Sequence, residues 1–213
     1  MDRYPINSTN PHSRYINKAV AFLKAGELLA YPTDVNYGIC CFLSSSLGVK
    51  NLNNITNKIS KNKLNTIICN DFSQISEYAV MSNDVFKLMK KILPGPYTVI
   101  LEAKNLVPKI SQTKRKTIGV RLINTPIVNA LLEEIDAPLM NFTALSYDKE
   151  IVVEDPFQIE KKYANSVSIL LDIGEFPTRN TTVIDCSVDG EPIVIRQGAG
   201  DYFASFINNQ PSL

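Results

Sequence analysis

One turn in the sequence combines side chains that could bind a ligand. Thr33 and Asp34 follow a short apolar segment that ends at Pro32 and is typical of a buried strand. A Pro-Thr-acid turn presents a hydroxyl and a carboxylate at the carboxyl end of that strand, where α/β sheets usually hold ligands. The pattern alone is not specific, because Pro, Thr and Asp also favour turns for local reasons.

The counts of histidine and cysteine limit the kinds of metal site and catalytic mechanism that the chain can have. His12 is the single histidine, so a metal cluster held by histidines is excluded, and a Ser-His-Asp hydrolase would need this residue at a predicted helix start. The cysteines lack CxxC pairs and zinc-like spacing, so we predict no metal site. We expect small, buried, apolar thiols at Cys40, Cys41, Cys69 and Cys186.

Charge is unevenly distributed along a chain whose net charge is only +1. Residues 35–132 hold thirteen basic and four acidic side chains, whereas residues 133–213 hold five and fourteen. A basic central block favours an anionic partner, such as nucleotide phosphates or an RNA backbone. The alternative is a solvated, lysine-rich face without a ligand. The candidate phosphate contacts are Lys58, Lys61, Lys63, Lys114, Arg115 and Lys116.

Alternating helix and strand signals predict the elements that position these residues. Asn10 and Pro11 are typical of a helix start, and apolar residues at helical spacing follow until Gly26. Ser82 caps another predicted helix, which stops at Pro94-Gly95-Pro96. Over 213 residues the alternation predicts one α/β domain. Strands are also predicted at 28–31, 65–69, 97–101, 117–121, 139–142, 167–171, 182–185 and 193–195.

The turn is the first of five short motifs that occur in a fixed order along the chain. They are Tyr31–Gly38, Leu93–Thr98, Thr117–Arg121, Thr181–Asp185 and Ile195–Gly198. This set resembles the YrdC/YciO family, whose best-known members are threonylcarbamoyl-AMP synthases. The resemblance covers roughly residues 13–200, preceded by an N-terminal extension (1–12) and followed by a polar tail (201–213). The Pro-Thr-Asp form of the first motif places the likeness closest to the YciO branch.

The resemblance implies both a fold and a reaction. The fold is a single YrdC-type α/β domain, with a twisted, open, mixed sheet flanked by helices and a large basic groove. The reaction condenses L-threonine, bicarbonate and ATP, the last with magnesium, to threonylcarbamoyl-AMP and pyrophosphate for later transfer to tRNA. ATP would be a substrate, and no tightly bound cofactor is expected.

Substrate contacts are implied residue by residue. Three residues would bind threonine, with the arginine on its carboxylate: Thr33, Arg121 and Thr181. Three would contact the nucleotide: Thr117, Thr143 and Arg196. Structural alternatives are a turn for Thr33, an ion pair or helix cap for Arg121, and a surface position for Arg196. Ordinary strand positions are the alternative for Thr117 and Thr181.

Two motifs of the active synthases are missing. The synthases that this chain resembles carry a Lys-x-Arg pair and a later Ser-x-Asn pair, both in contact with ATP. Alignment places Asn57 and Ile59 at the first pair, and Thr143 and Leu145 at the second. Charge-assisted hydrogen bonds contribute ~1.5–3 kcal/mol each, so these losses predict a slow synthase. Restoring Lys, Arg and Asn at 57, 59 and 145 would then raise the rate.

The sequence therefore predicts a weak threonylcarbamoyl-AMP synthase. The alternative is a non-catalytic module that uses the same groove for nucleotide, double-stranded RNA or tRNA. No apolar run approaches the ~20 residues of a membrane span, and the N-terminus lacks the basic and apolar regions of a secretion signal. We expect no membrane partner and a cytoplasmic location.

Overall fold

Strands and helices alternate in the computed structural model, which describes residues 1–59, 65–109, 116–145, 152–188 and 191–202. The strands are β1 (Asp2–Pro5), β2 (Leu29–Pro32), β3 (Tyr37–Phe42), β4 (Thr66–Cys69), β5 (Tyr97–Glu102), β6 (Thr117–Leu122), β7 (Leu139–Thr143), β8 (Ile169–Asp172), β9 (Thr182–Asp185) and β10 (Ile193–Arg196). The helices are α1 (Ser13–Lys24), α2 (Ser46–Ile59), α3 (Phe72–Tyr78), α4 (Asn83–Ile92), α5 (Pro126–Ile135) and α6 (Pro156–Tyr163).

All ten of these strands form one open sheet in the order β1-β8-β2-β3-β7-β4-β6-β5-β9-β10. The pairs β1/β8, β2/β8, β4/β6 and β5/β9 are parallel, and the remaining neighbours are antiparallel. The predicted mixed, open sheet with flanking helices is confirmed. Sequence neighbours are often separated in this order, so residues far apart in the chain meet in the sheet.

Helices cover the two faces of the sheet unequally. Successive strand residues point to opposite faces, and one face packs its apolar side chains against α2, α3, α4 and α6. The other face packs against only α1 and α5, toward the β8, β2 and β3 side of the sheet. The second face therefore has room for a ligand beyond these two helices.

Most helix starts follow from local side chains, but the first differs from the prediction. Ser82 accepts a hydrogen bond from the backbone N of Val85, as predicted for a cap, and Asp71 does the same for α3. In α1 the N-cap is His12, without a side-chain cap bond, so the predicted start at Asn10 was wrong. None of the helices in the described ranges is long and apolar enough to cross a membrane.

The cysteines are free, and three of them are buried as predicted. These three are Cys40, Cys41 and Cys69, whereas Cys186 is only partly buried. Burial raises the pKa of the Cys41 thiol to about 12, because the apolar surroundings disfavour the thiolate. This thiol therefore acts as a small apolar core group at neutral pH.

Candidate functional site

The turn between β2 and β3 crosses the sheet to reach β6. Oδ1 of Asp34 lies 2.5 Å from Nη2 of Arg121, although β3, β7 and β4 separate β2 from β6. Neighbouring strands lie ~4.8 Å apart, so four steps across a flat sheet would cover ~19 Å. The turn, the Arg121 side chain and the twist of the sheet together bridge this distance over the face that carries Arg121, which is called the concave face below.

Small and polar side chains line the concave face. Pairing places Thr66 opposite both Asn141 and Gly119, and Ile100 opposite both Gly119 and Asp185. Strand alternation adds the predicted nucleotide contacts, Thr117 and Thr143, to the same face. The concave face is hereafter the face with Thr66, Thr98, Ile100, Thr117, Gly119, Arg121, Asn141, Thr143 and Asp185.

Thr33 shapes the turn that reaches across this face. Its Oγ1 donates to the carbonyl O of Asn36 at 2.7 Å and accepts from the backbone N of Asn36 at 3.2 Å. The Asn36 amide donates to the carbonyl O of Arg179 at 3.2 Å, and the backbone N of Arg179 donates to Val35 O at 2.9 Å. The structural role considered for Thr33 is therefore present, and the turn is fixed to the segment before β9.

Arg121 forms the ion pair that was its alternative role. The residue is 3% exposed, and Asp34 supplies the carboxylate that compensates its buried charge. Within the described ranges, Nε of Arg121 has no hydrogen-bond partner. A buried donor without an acceptor is costly, so contact between Arg121 and a ligand carboxylate stays a prediction.

Thr181 and Arg196 join the same region. Continuing the β5/β6 register by one residue puts Thr98 opposite Arg121. The Oγ1 atom of Thr98 lies 2.9 Å from Oγ1 of Thr181. Nη2 and Nε of Arg196 donate to the carbonyl O of Thr181 at 3.0 and 3.1 Å. Partial burial lowers the pKa of Arg196, which remains a cation at neutral pH. The structure thus brings Thr33, Arg121, Thr181 and Arg196 together.

A cleft of about 630 Å³ opens beside this cluster. Asp34 and Arg179 are its charged lining residues. Its neutral lining consists of Val35, Pro94, Gly95, Pro96, Asn124, Pro177 and Ala199. Reasoning from sequence missed Arg179 as a site residue. Its only signal was its position two residues before the Thr181 motif.

The residues at the positions of the two missing motifs differ in burial. Leu145 is 1% exposed and belongs to the apolar core beside Tyr163. The Tyr163 hydroxyl accepts from Leu145 N at 3.0 Å and donates to Leu145 O. Asn57 is exposed near the end of α2, while Ile59 packs partly against the core. The expected benefit of an Asn at 145 therefore conflicts with the structure, because that side chain would enter the core.

The predicted phosphate contacts are described only in part. Lys58 lies at the end of α2 and lines a second cavity of about 480 Å³, with Glu27 and Ser168 among its neighbours. Lys116 directly precedes β6 and has a φ of 56°. The other four predicted contacts, Lys61, Lys63, Lys114 and Arg115, lie outside the described residues. The basic groove stays a prediction.

Metal-binding side chains are not clustered in the parts of the chain that the structure describes. No group of three or more His, Cys, Asp or Glu residues there could hold a metal ion. Glu102 and Asp185 are carboxylates on the concave face, and Oδ1 of Asp185 accepts from both the backbone N and the hydroxyl of Ser187.

Comparisons with known proteins agree on the fold and on the family. A family model described as "Telomere recombination", Sua5_yciO_yrdC, matches residues 21–198. The chain is 34% identical over 197 residues to the protein YciO of Escherichia coli K12, itself named uncharacterized, covering 92% of this chain and 95% of that protein. It is 27% identical over 166 residues to the threonylcarbamoyl-AMP synthase of Vibrio vulnificus YJ016, covering 75% and 88%.

Two solved structures extend the comparison. The crystal structure of E. coli YciO matches with a TM-score of 0.87 at 33% identity, covering 94% of this chain and 98% of that one. The crystal structure of P. abyssi Sua5 complexed with L-threonine matches with a TM-score of 0.79 at 22% identity, covering 92% of this chain and 56% of that one. The second likeness concerns the fold alone.

Proposed function

The chain belongs to the Sua5/YciO/YrdC family, and from this premise we propose that it binds ATP and L-threonine and forms threonylcarbamoyl-AMP slowly. Relatives named threonylcarbamoyl-AMP synthase, at about 27% identity, support the type of reaction. The more similar YciO relatives carry no named activity. Membership of the family supports a function of the tRNA-modification type, and the specific activity is our proposal.

The reaction joins three substrates in two steps. The threonine amine adds to the carbon of bicarbonate with loss of water, which gives a carbamate. A carbamate oxygen then attacks the α-phosphorus of ATP, and pyrophosphate leaves. The second step needs an ordered alignment of two anionic groups and cations that compensate the developing charge.

The observation that carries the proposal is that Asp34, which lines the charged cleft, contacts Arg121 on the concave face. Thr33, Arg121 and Thr181 lie at the cleft end, where we place the amino acid. Thr117 and Thr143 lie along the concave face, where we place the nucleotide with its magnesium ion. Arg196, bonded to Thr181, would stand between the two ligands and contact a phosphate or the ribose.

We attribute the low rate of synthesis to ATP-contacting side chains that this chain lacks. Asn57 and Ile59 carry no positive charge, and the Leu145 side chain is turned into the core. Two lost charge-assisted bonds at ~1.5–3 kcal/mol each would slow the reaction by roughly a hundredfold to ten-thousandfold. Lys58 and the lysines that follow it could restore part of this charge.

A direct assay tests the proposal. Purified protein is incubated with magnesium-ATP, L-threonine and bicarbonate, and threonylcarbamoyl-AMP and pyrophosphate are measured in equal amounts over time. Omission of each substrate in turn is the control, and the V. vulnificus synthase gives the reference rate. We expect slow product formation that needs all three substrates. A rate equal to the reference would contradict the role given to the missing motifs.

A second candidate function is binding without efficient chemistry. It is favoured by the burial of Leu145, which removes a nucleotide-contacting position from the concave face, and by the basic block over residues 35–132. Its ligands would be a nucleotide or double-stranded RNA. Binding of ATP without any product in the assay above would favour this candidate over the first.

A further inference from the structure

A cavity of about 480 Å³ lies apart from the candidate site. Its lining includes Glu27, two residues before β2, and Ser168, one residue before the parallel strand β8. The turn with Thr33 follows the other end of β2, and the four residues of this strand span about 13 Å. The cavity therefore opens at the opposite end of these strands, and its volume lies within the ~300–1,000 Å³ of small-molecule sites.

One stripe of helix α2 lines this cavity with polar side chains. Asn51, Asn54 and Lys58 follow one another at the spacing of three and four residues that places side chains on one face of a helix. The amides of Asn51 and Asn54 form no hydrogen bond with other described residues. Asparagine favours a helix less than alanine does. Helix α2 thus carries two amides that weaken it and have no partner among the described residues.

The segment between α6 and β8 supplies another polar part of the lining. Asn165 contributes a third amide and Ser166 a hydroxyl, and neither side chain bonds another described residue. The hydroxyl of Ser168 donates to Oε2 of Glu27 at 2.7 Å, which leaves Oε1 of this carboxylate available. The cavity therefore combines three amides and a hydroxyl with one carboxylate and the ammonium group of Lys58.

We propose that this cavity binds a neutral carbohydrate through adjacent hydroxyl groups, in a free sugar or in the ribose of a nucleoside. A carboxamide donates through its nitrogen and accepts through its oxygen, and a hydroxyl group also does both. Two adjacent hydroxyls can therefore bond both ends of one asparagine amide, and the Glu27 carboxylate can accept from a further hydroxyl. The inference goes beyond the proposed function and does not depend on it.

The charges of the lining argue against an ionic ligand. Glu27 and Lys58 are its charged side chains and have opposite signs, so an anion would be repelled by one and a cation by the other. A zwitterion could pair with both charges, but it would leave the three amides without a partner. No aromatic ring is present among the described lining residues to stack on a sugar, so we expect binding in the millimolar range.

NMR titrations with matched sugars test the inference. The probes are D-glucose and adenosine, each paired with an analogue that lacks one of the adjacent hydroxyls, 2-deoxy-D-glucose and 2′-deoxyadenosine. Glucose 6-phosphate and glycine test for an anion site and a zwitterion site. The side-chain amide signals of Asn51, Asn54 and Asn165 report whether a probe enters the cavity.

The variants are chosen so that binding and folding can be separated. They are the double variant Asn51→Ala with Asn54→Ala, Glu27→Gln, and the control Asn17→Ala, which changes an exposed residue of α1 outside the cavity. Alanine favours a helix more than asparagine does, so the melting temperature of the double variant should equal or exceed that of the wild type. Weaker binding by this variant would then not reflect unfolding.

We expect D-glucose or adenosine to shift the three amide signals and to bind more tightly than its deoxy analogue. The double variant should weaken this binding about fivefold to hundredfold, because two hydrogen-bonding groups are lost. Glu27→Gln should weaken it as well, and Asn17→Ala should leave it unchanged. A response to D-glucose assigns the cavity to free sugars, and a response to adenosine alone assigns it to ribose.

Other results would overturn the inference. If glucose 6-phosphate or glycine binds in the cavity more tightly than D-glucose and adenosine, its two charged side chains determine the ligand. If neither neutral probe shifts the three amide signals, the cavity is a solvated hollow. Adenosine that shifts only signals of the concave face would support the proposed nucleotide site while it removes the support for the cavity, so the two proposals fail separately.

Discussion

At the scale of single residues, polar groups of the candidate site bond one another within the protein. Thr33 closes its own turn and Arg121 neutralises Asp34, so each fills the structural role that the sequence left open. A sequence shows which groups can form such bonds, but it does not show the partner. Arg179 was missed for this reason, because its place in the cleft depends on two backbone bonds to the turn at 33–36.

The first prediction concerns Leu145. Leu145→Asn should lower the free energy of unfolding by about 2–4 kcal/mol, because it removes a core side chain and buries an amide. It should not accelerate threonylcarbamoyl-AMP formation. Urea denaturation and the product assay measure the two effects.

The matched control for Leu145 is Thr143→Ser, which keeps a hydroxyl on the concave face two residues earlier. It should change stability by less than about 1 kcal/mol. A Leu145→Asn variant that is as stable as the wild type and faster would show that position 145 faces the nucleotide after all.

At the scale of elements, helix α6 holds the end of β7 through one hydroxyl. Tyr163 bonds both the N and the O of Leu145, just beyond the end of β7 at Thr143. These backbone groups have left the regular ladder, so the tyrosine satisfies polar atoms that would otherwise be buried alone. Through this contact α6 fixes the border between the concave face and the core.

The second prediction tests that contact. Tyr163→Phe should cost about 1–3 kcal/mol of stability, because both Leu145 groups lose their side-chain partner. Tyr78→Phe is the control, since the Tyr78 hydroxyl has no hydrogen bond among the described residues, and it should cost much less. Equal losses in the two variants, measured by urea denaturation, would deny the special role of Tyr163.

The elements also show where reasoning from sequence works and where it stops. Helices with a clear apolar stripe, such as α4, were predicted almost to the residue. Strand β3 was missed because all six of its residues are buried, so it lacks the alternation that marks a half-buried strand. Strand β1 was missed because its sequence is polar and its partner β8 lies far along the chain.

At the scale of the whole molecule, the strand order creates the site, because the β2–β3 turn reaches over the sheet to β6. The contact of Asp34 with Arg121 closes one end of the concave face, and no local pattern in either segment encodes that approach. The family resemblance predicted the fold and the residues gathered there. It did not predict which of them pair with one another in the folded chain.

The third prediction is ligand-dependent stability. Magnesium-ATP at ~100 times its dissociation constant should stabilise the fold by ~2.7 kcal/mol. In a protein of this size that raises Tm by roughly 5–11 °C. Thermal unfolding with and without L-threonine measures the shift, and magnesium chloride alone is the control. An unchanged Tm at millimolar ATP would contradict a nucleotide site on the concave face.

The fourth prediction concerns the basic block. Duplex RNA affinity should fall by ~0.9 log units per log unit of salt for each phosphate contact. The triple variant Lys114→Ala, Arg115→Ala, Lys116→Ala should weaken binding and flatten this slope with little change in Tm. The control neutralises Lys87, Lys90 and Lys91 on α4. Binding that ignores salt, or that the two variants weaken equally, would leave the block as a solvated face.

Strand β1 has a consequence for how the protein forms during synthesis. Arg3 in β1 bonds Asp172 at 2.8 Å across 169 residues of sequence. At a translation rate of about 5–20 residues per second, β1 waits roughly 8–34 s on the ribosome before β8 has been made. From the time β2 is made until β8 follows, the edge of β2 that later pairs with β8 is also open. The nascent chain therefore exposes an unpaired strand edge, a target for chaperones, until β8 has been made.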